Sequence, residues 1–216
     1  MSKNSKKDKI QKKILVVVFV EGDTEVEFYK RLISHLRDFC GGRLSCEVKI
    51  HNLKGVGNYQ SIAKRIFEKK IKKDYPGNSY EYKVFLSYDT DIFEFARKPS
   101  VNWKAVISLL KSLGADEVHE IKAKSSIEDW FLCDRDGIRL FLNISQSADV
   151  SKGNGLTGLK TLYKNANKTY VKGLKSTGLV DSLNLNLILP QICHQIHTLC
   201  KAVGVEGNGK VCPVKR

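Results

Sequence analysis

An uninterrupted apolar run, ILVVVFV at residues 14–20, constrains the fold more than any other feature of the sequence. A continuous β-branched run, as opposed to an alternating one, is typical of a strand buried on both faces of a parallel sheet. Parallel strands must be joined by crossover connections, which are usually helices. At 216 residues and 42% hydrophobic content, the chain is long enough to bury a core. We therefore expect an α/β protein.

Strand and helix patterns alternate along the first 125 residues. Strands are predicted at 46–53, 82–88 and 118–121, and helices at 59–71 and 102–113. A further helix is predicted to start at Thr24, which precedes Glu27 at capping-box spacing. The chain divides into a disordered basic arm (1–13), an α/β catalytic domain (14–125) and a helical basic segment (126–216) that packs on it. In the last segment helices are expected at 156–163 and 185–202, the second broken or kinked at Pro190.

The positive charge is concentrated at the two ends of the chain. The formal net charge is +14, from 37 basic and 23 acidic residues. Residues 1–13 carry six lysines and one aspartate, and residues 151–216 carry ten basic and two acidic side chains, so the middle is nearly balanced. Basic surfaces attract phosphate backbones, which favours a nucleic-acid partner. A solubilising tail with a solvated helix face is the alternative.

The balanced middle places carboxylates directly after two of the predicted strands. Glu21 and Glu25 follow the first strand and flank Gly22, and Asp89 and Asp91 follow the third. Sites in open α/β sheets form at the carboxyl ends of the strands. Clustered carboxylates repel unless a hard cation such as Mg²⁺ or Mn²⁺ neutralises them, and such a site can hydrolyse a phosphodiester. The alternatives are a helix-dipole role for Glu25 and turn caps for the aspartates.

The two motifs, V-F-V-E-G-D-T-E and F-L-S-Y-D-T-D, resemble those of the TOPRIM fold. That fold is shared by topoisomerases, bacterial primases, recombination mediators, small RNA maturases and nucleases of the overcoming-lysogenization-defect (OLD) type. The resemblance covers about 110 residues and implies a TOPRIM-like, Rossmann-like parallel four-stranded sheet flanked by helices, with an α-rich basic C-terminal extension. The pattern is most similar to OLD-type and phage-defence members.

Site residues follow from this resemblance. It implies two Mg²⁺ or Mn²⁺ ions per site, one held mainly by Glu21, Asp89 and Asp91. Glu25 and Glu128 would help to hold the second, with Asp129 as the alternative to Glu128. Ser87 matches a serine that relatives often carry two residues before the first aspartate. The implied catalytic set is Glu21, Glu25, Asp89, Asp91, Glu128 and Lys172.

Relatives also place a lysine near the scissile phosphate. Lys172, beside Gly173, is the candidate here, Lys168 is the runner-up, and a solvated basic loop is the alternative. We expect Lys168, Lys172 and Lys175 to contact nucleic acid, because a cation stabilises the charge that develops on a phosphate.

The resemblance implies a metal-dependent endonuclease that hydrolyses RNA or DNA, with an anti-phage or abortive-infection role. The alternatives are a non-catalytic module that binds nucleic acid or a partner, and a small nuclease that matures structural RNA. The chain carries no G-x-x-x-x-G-K-[ST] motif, which leaves open an ATPase partner on a separate chain, and a homo-oligomer is equally open.

The remaining sequence signals concern cysteines and location. Cys193, His197 and Cys200 share one face of a predicted helix, and Cys212 would complete four zinc ligands. The apolar neighbours favour a core helix instead, so zinc is the less favoured interpretation. No apolar run approaches a membrane span, and no signal peptide is recognised. We expect a cytoplasmic protein with reduced thiols and no membrane partner.

Overall fold

The computed structural model describes residues 11–91, 101–148, 153–175 and 178–205. Its four strands are β1 (Lys13–Val20), β2 (Cys46–Asn52), β3 (Tyr80–Asp89) and β4 (Glu117–Ala123). They form one sheet in the order β2-β1-β3-β4, and every neighbouring pair is parallel. The predicted α/β architecture, a four-stranded parallel sheet flanked by helices, is confirmed.

The helices cover both faces of this sheet. The α-helices are α1 (Asp23–Phe39), α2 (Lys64–Ile66), α3 (Lys72–Asp74), α4 (Trp103–Ser112), α5 (Ile127–Phe131), α6 (Arg135–Leu142), α7 (Gly155–Asn165), α8 (Leu179–Ser182) and α9 (Leu185–Ala202). Shorter helical turns of 3-10 type span Val56–Asn58 and Leu132–Asp134, and turns of π type span Tyr59–Ala63 and Phe67–Ile71.

The continuous apolar run of β1 divides its side chains between two cores. Val16, Val18 and Val20 pack with α1 and with the helices that follow β4. Leu15 and its alternate neighbours pack on the opposite face with the helical turns between β2 and β3 and with α4. Successive side chains of a strand point to opposite faces, so a strand covered on both sides must be apolar at every position. The C-terminal helices therefore share a core with β1 and α1.

The predicted capping box at Thr24 is wrong: the N-cap of α1 is Gly22, and the Thr24 hydroxyl donates to the carbonyl of Leu174 at 2.7 Å. Pro190 does not break the last helix, because α9 runs from Leu185 to Ala202 with the proline inside it, and a kink at this residue stays a prediction. None of the described helices is both long enough and apolar enough to cross a membrane.

Several sequence expectations fall on undescribed residues. The basic arm (1–13) lies outside the described part of the chain except for its last three residues, which include the first residue of β1. The end of the basic C-terminal segment, 206–216, which includes Cys212, lies outside it as well.

Candidate metal centre

The parallel sheet brings the predicted carboxylates to one edge. Because all four strands run the same way, their carboxyl ends share an edge of the sheet. Glu21 directly follows β1, Asp89 is the last residue of β3, and Asp91 lies two residues further on. Asp89 and Asp91 are almost fully buried, at 3% and 8% exposure. Buried acidic side chains need hydrogen-bond donors or a positive charge beside them, and the neighbouring segments at this edge provide both.

Hydrogen bonds tie Asp89 to the segments on either side of it. Its backbone N–H donates to Glu21 Oε1 at 3.0 Å, which links the ends of β1 and β3. Its own Oδ1 accepts from the backbone N–H of Ile127 at 2.9 Å, at the start of α5. Asp89 is therefore held between β1 and the first helix after β4, at the middle of the carboxylate group.

Gly22 allows Glu25 to approach this group. Glu25 is buried in the first turn of α1, and its Oε2 has no hydrogen-bond partner among the described residues. A Cβ on Gly22 would lie 2.8 Å from Glu25 Oε2 and 3.0 Å from the Cα of Gly173. A larger residue at this position would crowd both the Glu25 carboxylate and the backbone of Gly173, so glycine gives the glutamate room to approach.

Glu128 completes the group from α5. It is fully buried, and its Oε1 accepts a hydrogen bond from the Tyr170 hydroxyl at 2.9 Å. Its other oxygen, Oε2, lacks a hydrogen-bond partner within the described parts of the chain. The neighbouring Asp129 has a different role, because its carboxylate accepts from the backbone N–H of Ser126 at 3.0 Å and caps α5. Of the two candidates, Glu128 is the one that belongs to the buried cluster.

Lys172 supplies the positive charge at the centre. Its Nζ lies 2.7 Å from Asp89 Oδ2 and 2.9 Å from Asp91 Oδ2, and its side chain is 31% exposed. It therefore bridges the two aspartates from the solvent side. Charge-assisted contacts of this kind are stronger than hydrogen bonds between neutral groups.

The segment that carries Lys172 is fixed across the mouth of the site, and we call residues 170–174 the strap. The Gly173 carbonyl accepts from the backbone N–H of Asp23 at 3.2 Å. Thr24 donates to Leu174, and Tyr170 donates to Glu128, as described above. The strap is thus joined at both of its ends to the segments that supply the carboxylates.

Burial and mutual repulsion shift the carboxyl pKa values upward. Burial, followed by the charge of Asp89, raises the pKa of Glu21 to about 7 and that of Glu25 to about 8. Burial raises the pKa of Asp89 to about 6 although Lys172 acts in the opposite direction. Burial lowers the pKa of Lys172, but the charge of Asp89 and the hydrogen bonds to both aspartates outweigh it and leave that pKa above its ordinary value. The group therefore favours bound protons or additional cations.

The other two predicted lysines lie apart from the carboxylates. Lys168 Nζ stands over the Phe141 ring, 5.9 Å from its centroid. Lys175 Nζ is 3.6 Å from Glu27 Oε1, and its side chain is 71% exposed. Ser87 also points elsewhere, because its hydroxyl is hydrogen-bonded to the Tyr29 hydroxyl at 2.8 Å. The structure brings Lys172 to the centre and leaves Lys168 and Lys175 on the surrounding surface.

A cavity of about 420 Å³ opens beside the carboxylates. Its lining includes Glu21, Glu25, Lys172 and Lys54. Sequence reasoning missed Lys54, which has a left-handed backbone with φ of 58° just after β2, and it missed Tyr170. Neither residue is part of a sequence motif. Lys54 and Tyr170 lie beside the carboxylates because of the order of the strands and the course of the strap.

The donor set suits a hard divalent cation. All candidate ligands are carboxylate oxygens, the type that Mg²⁺ and Mn²⁺ prefer, and Glu25 and Glu128 each hold one buried oxygen with no hydrogen-bond partner in the described regions. In the arrangement described, however, no three His, Cys, Asp or Glu side chains of the described residues are placed to share one ion. The ammonium group of Lys172 lies between the carboxylates of Asp89 and Asp91 in this arrangement.

The cysteine expectations need correction. Cys193 is disulfide-bonded, so the prediction that all cysteines are reduced is wrong for this residue. Cys40, Cys46, Cys133 and Cys200 are thiols. A disulfide sulfur is not a thiolate ligand, which removes Cys193 from the zinc set. Cys193 and Cys200 are buried in α9, among the apolar side chains of the larger core.

Comparisons of the chain with known protein families, curated proteins and solved structures find no match. The similarity to TOPRIM motifs therefore remains a sequence expectation.

Proposed function

We propose that this protein is a divalent-metal-dependent nuclease that hydrolyses phosphodiester bonds of RNA or DNA. One observation carries the proposal: five carboxylates gather at the carboxyl edge of the parallel sheet, around Lys172. They are Glu21, Glu25, Asp89, Asp91 and Glu128. Structural carboxylates are normally solvated or paired one to one. A buried excess of carboxylates in a cleft is characteristic of sites that bind cations.

Each residue has a defined role in this proposal. Glu21, Asp89 and Asp91 would hold one ion, and Glu25 and Glu128 would contribute to a second. The bound metal would activate a water molecule and stabilise the leaving oxygen of the phosphodiester. Lys172 would contact the phosphate and stabilise the charge that develops on it.

The charge distribution supports a polyanionic substrate. The acidic centre requires cations, whereas the net charge of the whole chain is +14. Long-range attraction by the basic segments would bring a nucleic acid to the surface, where the carboxylates would need bound cations to accept a phosphate beside them. The cavity beside the carboxylates, with Lys54 and Lys172 in its wall, gives the backbone a place to bind.

The biological setting is an extension of this proposal based on the resemblance to phage-defence TOPRIM nucleases. It assigns the chain an anti-phage or abortive-infection role in the cytoplasm, with an ATPase partner on a separate chain as one arrangement. The same chemistry serves the maturation of a structural RNA, which differs in substrate alone.

The direct test incubates the purified protein with total cellular RNA and with plasmid DNA, with Mn²⁺ and with EDTA. Asp89→Asn removes one charge at the centre of the group and keeps the side-chain shape. We expect Mn²⁺-dependent cleavage by the wild type and a loss of about 100-fold or more in rate for the variant, because even the groups that orient a metal ligand typically contribute about 10–100-fold. Asp136→Asn is the matched control, because Asp136 is exposed. Within the described residues its ion-pair partner is Arg139, outside the carboxylate group. Equal cleavage by the Asp89 variant would refute the assignment.

A second candidate, a non-catalytic nucleic-acid-binding module, is favoured by one observation. Lys172 contacts both Asp89 and Asp91 and partly neutralises the cluster without a metal. A module of this kind would bind RNA or DNA equally well with Mn²⁺ and with EDTA, would leave every substrate intact, and would be insensitive to Asp89→Asn.

A further inference from the structure

The chain that follows β2 borders the cavity beside the carboxylates, and we call residues 52–58 the β2 turn. Asn52, Lys54 and Gly55 line this cavity of about 420 Å³. The backbone N–H of Gly55 donates to the carbonyl of Glu21 at 2.8 Å, which joins the turn to the residue that carries the first carboxylate. The β2 turn and the strap therefore border one cavity, and both are attached to the residues that follow β1.

Lys54 holds a backbone conformation that lysine seldom adopts. Its φ of 58° lies in the left-handed region, where the Cβ atom crowds the following carbonyl and where glycine and asparagine are the usual residues. Two side chains keep the turn in this shape: Asn52 Oδ1 accepts from the Lys54 N–H at 2.6 Å, and Asn58 Nδ2 donates to the Lys54 carbonyl at 2.8 Å. A strained residue that its neighbours hold in place is characteristic of functional sites.

The ammonium group of Lys54 is available to an anion. The residue is exposed, and within the described residues no hydrogen bond or ion pair engages its Nζ. Three carboxylates line the same cavity, those of Glu21, Asp23 and Glu25. Asp23 Oδ1 already has a partner in the turn, because it accepts from Asn52 Nδ2 at 2.6 Å. A lysine in this situation is suited to bind a phosphate oxygen, which it contacts as a point charge.

A structural role does not account for a lysine at this position. A structural lysine beside acidic groups pairs with them, as Lys172 does with Asp89 and Asp91. Lys54 has no such pair in the described chain, and an asparagine or a glycine would fit its left-handed backbone with less strain. The feature that lysine alone adds here is a positive charge at the wall of the cavity.

We propose that Lys54 is a substrate-binding residue that contacts a phosphate of the nucleic acid next to the one that is cleaved. The inference rests on the proposed nuclease function for the identity of the anion, but it assigns Lys54 to binding and not to the chemical step. The two lysines of the cavity then have separate roles: Lys54 holds the backbone of the strand, and Lys172 acts at the scissile phosphate.

Binding is measured in EDTA, so that cleavage plays no part, by fluorescence anisotropy of a labelled single-stranded oligonucleotide at several salt concentrations. The oligonucleotide is tested as DNA and as RNA. Lys54→Gln removes the charge and keeps most of the side-chain length, and we expect it to weaken binding about three- to tenfold, as for the loss of one hydrogen bond. The slope of log affinity against log salt concentration should become shallower by about 0.7 to 1, the loss of one phosphate contact. Lys54→Arg, which keeps the charge, should bind as the wild type does.

Two further variants separate binding from stability. Lys54→Asn removes the charge and fits the left-handed backbone, so it should weaken binding as Lys54→Gln does while its urea midpoint exceeds that of Lys54→Gln. Lys111→Gln is the control for the loss of one positive charge, because Lys111 is exposed in the last turn of α4. That turn precedes β4 and lies towards the amino edge of the sheet, so this variant should bind as the wild type does.

The proposal and the nuclease assignment fail in different ways. If the wild type cleaves no substrate, the nuclease assignment fails, and weaker, less salt-dependent binding by Lys54→Gln still identifies Lys54 as a phosphate contact. If the wild type cleaves, Lys54→Gln should raise KM and leave kcat nearly unchanged, whereas Asp89→Asn lowers kcat. The proposal is wrong if the wild type binds neither oligonucleotide. It is also wrong if Lys54→Gln and Lys54→Asn, shown to be folded by circular dichroism, bind with the affinity and the salt dependence of the wild type.

Discussion

Replacement of Lys172 by methionine tests whether this lysine substitutes for a cation in the carboxylate group. Methionine preserves much of the length and apolar character of the side chain and removes the charge. In the wild type the ammonium group lies within 3 Å of both Asp89 Oδ2 and Asp91 Oδ2, at 2.7 and 2.9 Å. The variant leaves both aspartates without their shared counter-charge.

The magnitude follows from burial. Removing one partner of a buried ion pair costs about 3–5 kcal/mol because the other charge stays behind without compensation. Asp89 is buried, but the side chain of Lys172 is 31% exposed, so we expect the lower end of the range, a loss of about 3 kcal/mol at pH 8 in EDTA. At pH 5 the loss should shrink, because the raised pKa of Asp89, about 6, lets that carboxyl group take up a proton.

Urea denaturation in EDTA at pH 8 and pH 5 measures the stability, and calorimetric titration with Mn²⁺ measures the metal affinity. If the lysine competes with a metal for the aspartates, Lys172→Met should bind Mn²⁺ about tenfold more tightly, which is about 1.4 kcal/mol. Lys175→Met is the control from the same region, because Lys175 is exposed and apart from the aspartates. Unchanged stability relative to this control, together with weaker Mn²⁺ binding, would refute the reasoning.

Two further predictions concern the packing and the protonation of the site. Gly22→Ala places a Cβ 2.8 Å from Glu25 Oε2. We expect the free energy of unfolding, measured by urea denaturation, to fall by about 1–3 kcal/mol, the usual cost of overpacking. Gly57→Ala is the control and should be near neutral, because a Cβ at Gly57 meets nothing within 4 Å. The free energy of unfolding in EDTA should fall by roughly 6 kcal/mol between pH 5 and pH 8, because folded Glu21 and Glu25, with pKa values of about 7 and 8, retain protons that the unfolded chain has released. Urea midpoints across this range measure the effect, Mn²⁺ at pH 8 should restore the stability, and a midpoint that rises with pH in EDTA would contradict it.

The carboxyl edge could be predicted because it depends on short-range signals. A buried parallel strand is recognisable from its composition, and the residue that follows it must lie at the edge where neighbouring strands also end. Glu21, Asp89 and Asp91 are therefore brought together by the strand pattern alone. The sequence alone does not decide between Glu128 and Asp129 as the metal ligand. The structure distinguishes them, because Glu128 is buried beside the other carboxylates and Asp129 caps α5.

The strap could be predicted less well because its contacts are long-range. Lys172 is 81 residues from Asp91 in sequence, and no periodicity links them. The capping box at Thr24 failed for the same reason: the Thr24 hydroxyl contacts Leu174, 150 residues away, and is not available to cap α1.

The position of the strap late in the sequence means that it is synthesised after most of the carboxylates that it covers. The ribosome releases Glu21, Asp89 and Asp91 well before Lys172, which follows Asp91 by 81 positions. The face of the sheet that these residues share with α5 and the later helices is covered only when those helices emerge. The nascent chain therefore exposes these acidic side chains for a long interval before Tyr170, Lys172 and Gly173 are synthesised and can contact them. We expect the centre to mature in one late step, which would delay any nuclease activity until most of the chain has left the ribosome.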